Sequence, residues 1–178
     1  MSEKRSFGDF VDRLTSVAAI ITAVAAVAIA VYEARINRQE QKKSVWPYVM
    51  QYNSNTDQEY TRSVENVGLG PALVRSFEVR VDDSLYSGWR PVVHALTGAD
   101  SVVYSYSYLG MGSVLRAGER FVVLRIPPGP AATAFFEHRS ELSTKVCYCS
   151  LYGDCWLSDS ERNEPSAVDS CGEGRAGG

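Results

Sequence analysis

The residues best suited to chemistry in this sequence are cysteines grouped near its carboxyl end. Cys147, Cys149 and Cys155 follow a C-x-C-x5-C pattern, and Cys171 is the remaining cysteine. Such thiolates can bind zinc when a histidine completes the ligand set, and the chain contains two histidines. The spacing departs from that of a standard zinc knuckle, so the sequence leaves these cysteines free, bridged or metal-bound.

The position of each cysteine on a predicted hairpin limits how the group can be used. A strand places Cys147 and Cys149 on the same side, which is poor geometry for a bridge between these two. Cys155 joins them on that face if the hairpin loop is residues 152–154, and lies on the opposite face if the loop is one residue shorter. By default such cysteines are small buried hydrophobic residues, and unpaired cysteines favour a reducing compartment.

Patterns typical of hydrolases and of phosphate-binding loops are missing from the sequence. Neither GxSxG nor HExxH occurs, and His94 and His138 have no acidic residues arranged around them in a recognisable pattern. The glycines of GLG at 68–70 and GMG at 110–112 lack a third glycine and a following helix, so they indicate turns with unusual backbone angles. We assign no catalytic, cofactor-binding or metal-ligating residue, and expect a protein that is not an enzyme and uses no cofactor.

A long uncharged stretch at residues 14–32, LTSVAAIITAVAAVAIAVY, predicts a transmembrane helix preceded by a short N-terminal segment, residues 1–13. At the rise of an α-helix this stretch is about 28 Å long, close to the thickness of the hydrocarbon core. Two alternatives remain open. AIA at 28–30 fits the cleavage site of an export signal, and the stretch could also be a soluble or peripheral helix.

Small residues recur along one side of this predicted span. Ala18, Thr22, Ala26 and Ala30 are each four positions apart, so a helix places them on one face. In lipid, small residues at this spacing allow two helix backbones to approach closely. We therefore expect a homo-oligomer packed partly through this row, although an alanine-rich helix also produces such rows by chance.

Basic residues follow the span directly, in a predicted helical stalk at residues 33–45. Arg35, Arg38, Lys42 and Lys43 could contact anionic lipid heads, or they could be charges on a solvated stalk. Four basic residues after the span and three before it place the carboxyl-terminal domain weakly in the cytoplasm. The expected location is the inner (plasma) membrane in single-pass form, and the net charge of -3 gives no reason to expect a nucleic-acid partner.

The remainder of the chain is predicted to be mainly β, an antiparallel β-sandwich of immunoglobulin-like architecture at residues 46–160. Alternation and turn signals favour strands at PYVMQYN, at EYTRSVEN and at ALVRSFEVRVDD, where Leu73, Phe77, Val79 and Val81 share one parity with Arg75. GWRPVVHALTG is predicted as a short helix, and CYCSLYGDCW as a closing hairpin. Residues 161–178 are rich in Gly, Ser and Glu and are predicted to be disordered.

The order of these features resembles a loose group of uncharacterised bacterial proteins with one span and a small β-sandwich domain. The resemblance covers residues 14–158 and is carried by SVWPYV, VENVGLGPALV, VLRAGE and CYCSLYGDCW. It implies the architecture described above and no catalytic residue.

Two functions follow as expectations. The first is a membrane-anchored, non-enzymatic binding or sensing module whose partners are the bilayer, further copies of the chain, and an unknown protein or small ligand. The alternative is a membrane-perturbing effector, whose helices oligomerise when the soluble domain senses a signal.

Overall fold

The computed structural model describes the backbone of residues 3–172 and the side chains of residues 13–172. The chain divides into two compact units, Met1–Lys43 and Ser44–Gly178. The end of the predicted disordered tail, residues 173–178, therefore lies outside the described residues, as do residues 1 and 2.

The first unit is a single helix, α1, at Glu3–Ser44. It runs without interruption through the predicted span and the predicted stalk, because the sequence supplies good helix formers until the approach to Pro47. Its large aliphatic side chains from Leu14 to Val31 are 49 to 66% exposed. By length and composition, the stretch Arg13–Ser44 could cross a bilayer. This is compatible with a single-pass membrane anchor, and an export signal would pass the same test.

The second unit, which we call the two-sheet domain, is mainly β. Strands β1, β2, β7 and β5 form one antiparallel sheet in that order, and β10, β9, β8, β3 and β4 form the other, with β6 also pairing β3. Two short helices lie between strands. The elements are β1 (Val49–Thr56), β2 (Glu59–Asn66), β3 (Ala72–Val81), β4 (Ser84–Tyr86), α2 (Trp89–Thr97), β5 (Ser105–Tyr106), β6 (Val114–Leu115), β7 (Arg120–Ile126), α3 (Pro130–Glu137), β8 (Leu142–Cys149), β9 (Cys155–Asp159) and β10 (Ser166–Val168).

Local sequence explains most of these elements. The β1–β2 turn uses Asp57 at φ 53° and Gln58 at φ 65°, the backbone geometry of a tight hairpin turn. Asn66 closes the glycine-rich turn that follows β2, because its amide nitrogen donates to the carbonyls of Gly70 and Leu115.

Gly68 and Gly70 were predicted to be needed for unusual backbone angles, and the structure gives a different reason for them. Among the described residues, the glycines with φ in the left-handed region include Gly112 but neither Gly68 nor Gly70. A Cβ atom on Gly68 would lie 2.3 Å from the nitrogen of Tyr48, and one on Gly70 would lie 2.0 Å from the carbonyl oxygen of Val45. Glycine is required here because two backbone segments approach closely, not because of unusual backbone angles.

The two sheets share one core. A β-bulge in β3 changes which face of the strand is buried, contrary to the prediction. The pairing of β3 with β8 shifts between Val74 and Ser76. Ala72 and Val74 are therefore buried before the bulge, and Val79 and Val81 after it. The extra residue at a bulge reverses the parity of the strand, so a single inward parity through Leu73 and Arg75 was the wrong prediction.

The predicted disordered tail also needs correction within the described residues. Ser166–Val168 forms β10, which pairs antiparallel with β9, and Val168 lies opposite Cys155. The segment buries little, which is why its composition resembled disorder. Backbone pairing with β9 and the disulfide between Cys147 and Cys171 order this segment, and neither contact can be recognised from amino-acid composition.

A hydrogen bond across the core should contribute measurably to stability. The buried hydroxyl of Tyr148 on β8 accepts a hydrogen bond from the backbone nitrogen of Val49 on β1, at 3.2 Å. We expect Tyr148→Phe to lower the free energy of unfolding by about 1 to 3 kcal/mol, because the buried N–H would lose its acceptor. Denaturant unfolding followed by tryptophan fluorescence measures this. The control Tyr152→Phe, on the exposed loop of the same hairpin, should leave stability unchanged.

Candidate functional site

The most unusual polar side chain of the two-sheet domain is Arg62, near the middle of β2. Alternation along β2 directs Tyr60, Arg62 and Val64 toward the core, and Arg62 is only 2% exposed. Arginine is rarely buried to this degree without a paired charge. The strand therefore places a guanidinium at an inward position that an apolar side chain would normally occupy.

Neutral groups from both sheets hold the guanidinium in place. Its Nε and Nη2 atoms donate to the hydroxyl of Thr144 on β8, at 3.0 and 2.7 Å, and Nη1 donates to the Oδ1 atom of Asn53 on β1, at 2.9 Å. The Thr144 hydroxyl in turn donates to Gln51, and Tyr60 donates to the same Oδ1 atom of Asn53. Among the described residues this network fixes the position of the arginine and uses three of its five N–H donors.

The charge of Arg62 has no counter-ion among the residues described. No carboxylate of residues 13–172 forms an ion pair with it, although Arg80, Arg120 and Arg125 each pair with a glutamate. Burial lowers the pKa of Arg62 below its ordinary value, and the neighbouring Tyr60 opposes that shift. Burial raises the pKa of Tyr60 in turn. An arginine stays protonated under these conditions, so a positive charge lies buried between the sheets.

Arg62 lines a cavity of about 350 Å³. A volume of this size is at the lower end of the range for small-molecule sites. Both sheets and the loop after α3 contribute to its wall. The lining residues are Gln51, Tyr52, Asn53, Arg62, Arg139, Ser140, Leu142, Ser160 and Glu161.

Two further charged residues line this cavity at exposed positions. Arg139 lies with its guanidinium 4.4 Å from the ring centre of Phe136 and donates to the Phe136 carbonyl at 2.7 Å, so its side chain is held against α3. Glu161, after β9, brings one carboxylate. With Arg62, these residues give the lining a net charge of one positive.

Sequence reasoning missed this site, although a signal was present. The strand EYTRSVEN was predicted with its correct limits, Glu59–Asn66. Its alternation places Arg62 on the same face as Tyr60 and Val64, and an arginine at an inward position is the pattern that could have identified it.

The structure brings the four cysteines together and bridges them in two pairs. Cys147 is bonded to Cys171, and Cys149 to Cys155, so no described cysteine is free. The prediction that Cys147 and Cys149 do not bridge each other is consistent with this pairing. The default interpretation as unbridged buried residues is wrong, because the tail that carries Cys171 returns to the sheet.

The hairpin register explains why Cys155 can reach its partner. Cys149 and Cys155 lie directly opposite each other on β8 and β9, with the five residues 150–154 between them. The loop is longer than either alternative considered from the sequence. The sulfur atoms of Cys149, Cys155 and Cys171 all lie within 4.8 Å of one another, and those of Cys149 and Cys171 are 3.9 Å apart. Sulfur atoms bonded in this way are not thiolates, the form that binds zinc.

Neither histidine lies with the cysteine group. The Nε2 atom of His94 on α2 lies 3.3 Å from Asp100, and the Nδ1 atom of His138 lies 2.8 Å from Glu141. The carboxylate of Glu141 raises the pKa of His138. Both histidines thus form local pairs at exposed positions, and neither completes a ligand set with the cysteines.

The candidate residues of the first unit all lie on α1. Ala18, Thr22, Ala26 and Ala30 are exposed and recur at four-residue intervals along the helix. The Thr22 hydroxyl donates to the carbonyls of Ala18 and Ala19, both at 2.9 Å, so the helix itself satisfies it. Arg35, Arg38, Lys42 and Lys43 follow on the last turns, where Lys43 pairs with Glu40 at 3.1 Å. Helix packing and membrane contact by these residues stay predictions.

The chain matches no protein-family model, no curated protein and no solved structure. The resemblance to single-span proteins with a small β-sandwich accordingly stays a prediction.

The two disulfides should stabilise the domain unequally. Cys147 and Cys171 are separated by 24 residues, and Cys149 and Cys155 by 6. Because the longer loop loses more unfolded-state entropy, we expect Cys147→Ala/Cys171→Ala to cost about 3 to 4 kcal/mol and Cys149→Ala/Cys155→Ala about 2 kcal/mol. Denaturant unfolding of both double variants measures this. Equal losses, or a larger loss for the shorter loop, would contradict it.

Proposed function

We propose that this protein is a single-pass membrane-anchored, non-enzymatic binding module, whose two-sheet domain takes a small ligand into the Arg62 cavity. The observation that carries the proposal is the cavity itself, which both sheets line and in which the buried guanidinium of Arg62 has no ion-pair partner among residues 13–172. Replacing a buried charged group by an apolar side chain of similar volume is often neutral or stabilising, so folding alone gives little reason for a guanidinium at this position.

A role in binding is better supported than a role in catalysis. The cavity lining brings together amides, hydroxyls, two guanidiniums and one carboxylate, all within the described residues. Catalysis would need a nucleophile beside a general base. The lining contains the hydroxyls of Ser140 and Ser160 and the carboxylate of Glu161, but among the described residues no hydrogen bond joins either hydroxyl to that carboxylate. The same polar groups suit the recognition and orientation of a ligand.

The disulfides support an orientation opposite to the one expected from the sequence. The cytoplasmic expectation rested on unpaired cysteines and on an excess of one basic residue after the span. All four cysteines are paired, which removes the first ground, and disulfides persist in oxidising compartments. We therefore place the two-sheet domain outside the cytoplasm, with residues 1–13 inside.

The strand order supports an immunoglobulin-like sandwich as the finer description of the domain. The sheet β1-β2-β7-β5 corresponds to the order A-B-E-D, and β4-β3-β8-β9 corresponds to a C-F-G sheet with an added edge strand. The short strand β6, which pairs with β3, and the final strand β10 are additions to that plan.

The membrane-perturbing alternative finds less support in α1. Thr22, one of the few polar residues of the span, directs its hydroxyl to carbonyls of its own helix. A water-filled pore needs polar side chains facing its lumen, and this span provides few.

The anchor and its orientation can be tested together on the full chain. We expect the protein to stay with isolated membranes after alkaline extraction. We also expect a carboxyl-terminal alkaline phosphatase fusion to be active in intact cells. The cysteines should react with a thiol-specific maleimide only after reduction. Recovery of the chain in the soluble fraction, of a mature chain that begins at Val31, or of cysteines that react without reduction would contradict the proposal.

Clustering through α1 gives a separate prediction. We expect Ala26→Leu to reduce crosslinked oligomers in membranes severalfold, because added bulk in the small-residue row prevents close approach of two helices. The matched control is Ala28→Leu, which makes the same change roughly 200° around the helix. Oligomers that persist in Ala26→Leu, or are lost equally in Ala28→Leu, would show that this row is not the contact.

A further inference from the structure

The Arg62 cavity brings a buried positive charge to an opening large enough for a small molecule. We infer that this cavity selects a small soluble molecule that carries a carboxylate or phosphate group, and that this group supplies the counter-ion that Arg62 lacks among the described residues. The inference rests on the proposed binding function and names the class of ligand.

Burial of the Arg62 guanidinium carries an electrostatic cost. Removing a guanidinium from water costs several kcal/mol, and only an opposite charge nearby offsets most of that cost. The acceptors around Arg62, on Thr144 and Asn53, satisfy hydrogen bonds but carry no charge. An anion in the cavity would meet a partly dehydrated cation, where a charge-assisted bond is stronger than at the surface.

The geometry of the hydrogen-bond network around Arg62 also favours an anion. The planar guanidinium matches carboxylate and phosphate oxygens better than an ammonium group does. Contacts to β1 and β8 fix its plane before any ligand arrives, so binding requires little further ordering of the side chain. Serine hydroxyls of Ser140 and Ser160 line the same cavity and can donate to the remaining anion oxygens.

The charged residues of the lining predict opposite effects of two substitutions on the affinity for an anion. Arg139 and Glu161 are exposed lining residues of opposite charge. An anion should bind about two- to fivefold more weakly to Arg139→Gln, and about two- to fivefold more tightly to Glu161→Gln, because exposed charges contribute modestly. A ligand without charge would respond to neither substitution in this pattern.

The substitution Arg62→Met can remove the charge without leaving its partners unsatisfied. Once the arginine is absent, Thr144 still bonds to Gln51, and Asn53 still accepts from Tyr60. Methionine has a similar length and an apolar end, so the variant should fold with at least the stability of the original chain in anion-poor buffer. This makes loss of anion binding separable from loss of folding.

The experiment uses the full chain in an uncharged detergent and measures its melting temperature by tryptophan fluorescence. The three tryptophans, Trp46, Trp89 and Trp156, all lie in the two-sheet domain, so the signal reports on that unit alone. Inorganic phosphate and malonate are titrated against sodium chloride at equal ionic strength. At a concentration roughly tenfold above the dissociation constant, we expect a rise of about 5 °C with at least one of the two anions.

Four variants decide the outcome. Arg62→Met should lose the anion-dependent rise, Arg139→Gln and Glu161→Gln should shift the titration in opposite directions, and Arg75→Gln, an exposed arginine on β3 outside the cavity, should behave as the original chain does. An equal rise in Arg62→Met, or no rise beyond that in chloride, would overturn the inference. That result would leave the anchored binding module with an uncharged ligand, whereas loss of the anchor appears only in the extraction experiment.

Discussion

The burial of one guanidinium between two sheets is the constraint on which the candidate site depends. Arg62 lies at an inward position of β2, and its hydrogen bonds reach β1 in its own sheet and β8 in the other. A single side chain thus fixes how Asn53 and Thr144 approach each other. The cavity borders Arg62, and its wall includes residues of both sheets. Arg62 therefore belongs both to the lining of the candidate site and to the contacts that join the two sheets.

Two further constraints give the domain the rigidity that such a charge requires. Asn66 ties the turn after β2 to the strand β6, and glycine at 68 and 70 lets the chain from Val45 to Tyr48 lie against that turn. The disulfides connect the β8–β9 hairpin internally and fasten the tail to it. Among the described residues only neutral groups hold the Arg62 guanidinium, so its position depends on the strands that carry them.

The sequence predicts those features that local patterns determine. The uncharged stretch, the limits of β2 and the short helix α2 follow from hydropathy, alternation and turn residues, and each is present. What failed depends on contacts between residues far apart in the chain. The bulge at Arg75 depends on the register with β8, and the bond from Cys147 to Cys171 depends on the path of the tail. Neither the bulge nor this disulfide can be predicted from sequence periodicity, because each depends on pairing between segments far apart in the chain.

Arg62 lies between these two cases, and its status explains why binding is the better interpretation of the site. Its inward position follows from alternation, but the absence of a carboxylate partner among residues 13–172 emerges only when both sheets are assembled. Had a glutamate occupied the place of Thr144, the arginine would be a structural ion pair and the cavity would have no electrostatic preference. Because the facing residue is neutral, hydrogen bonds alone offset the cost of burying the charge, and under the proposed function a bound anion would offset more of it. The domain is consequently expected to be more stable with its ligand than without it, which is the property that lets a binding module respond to what it binds.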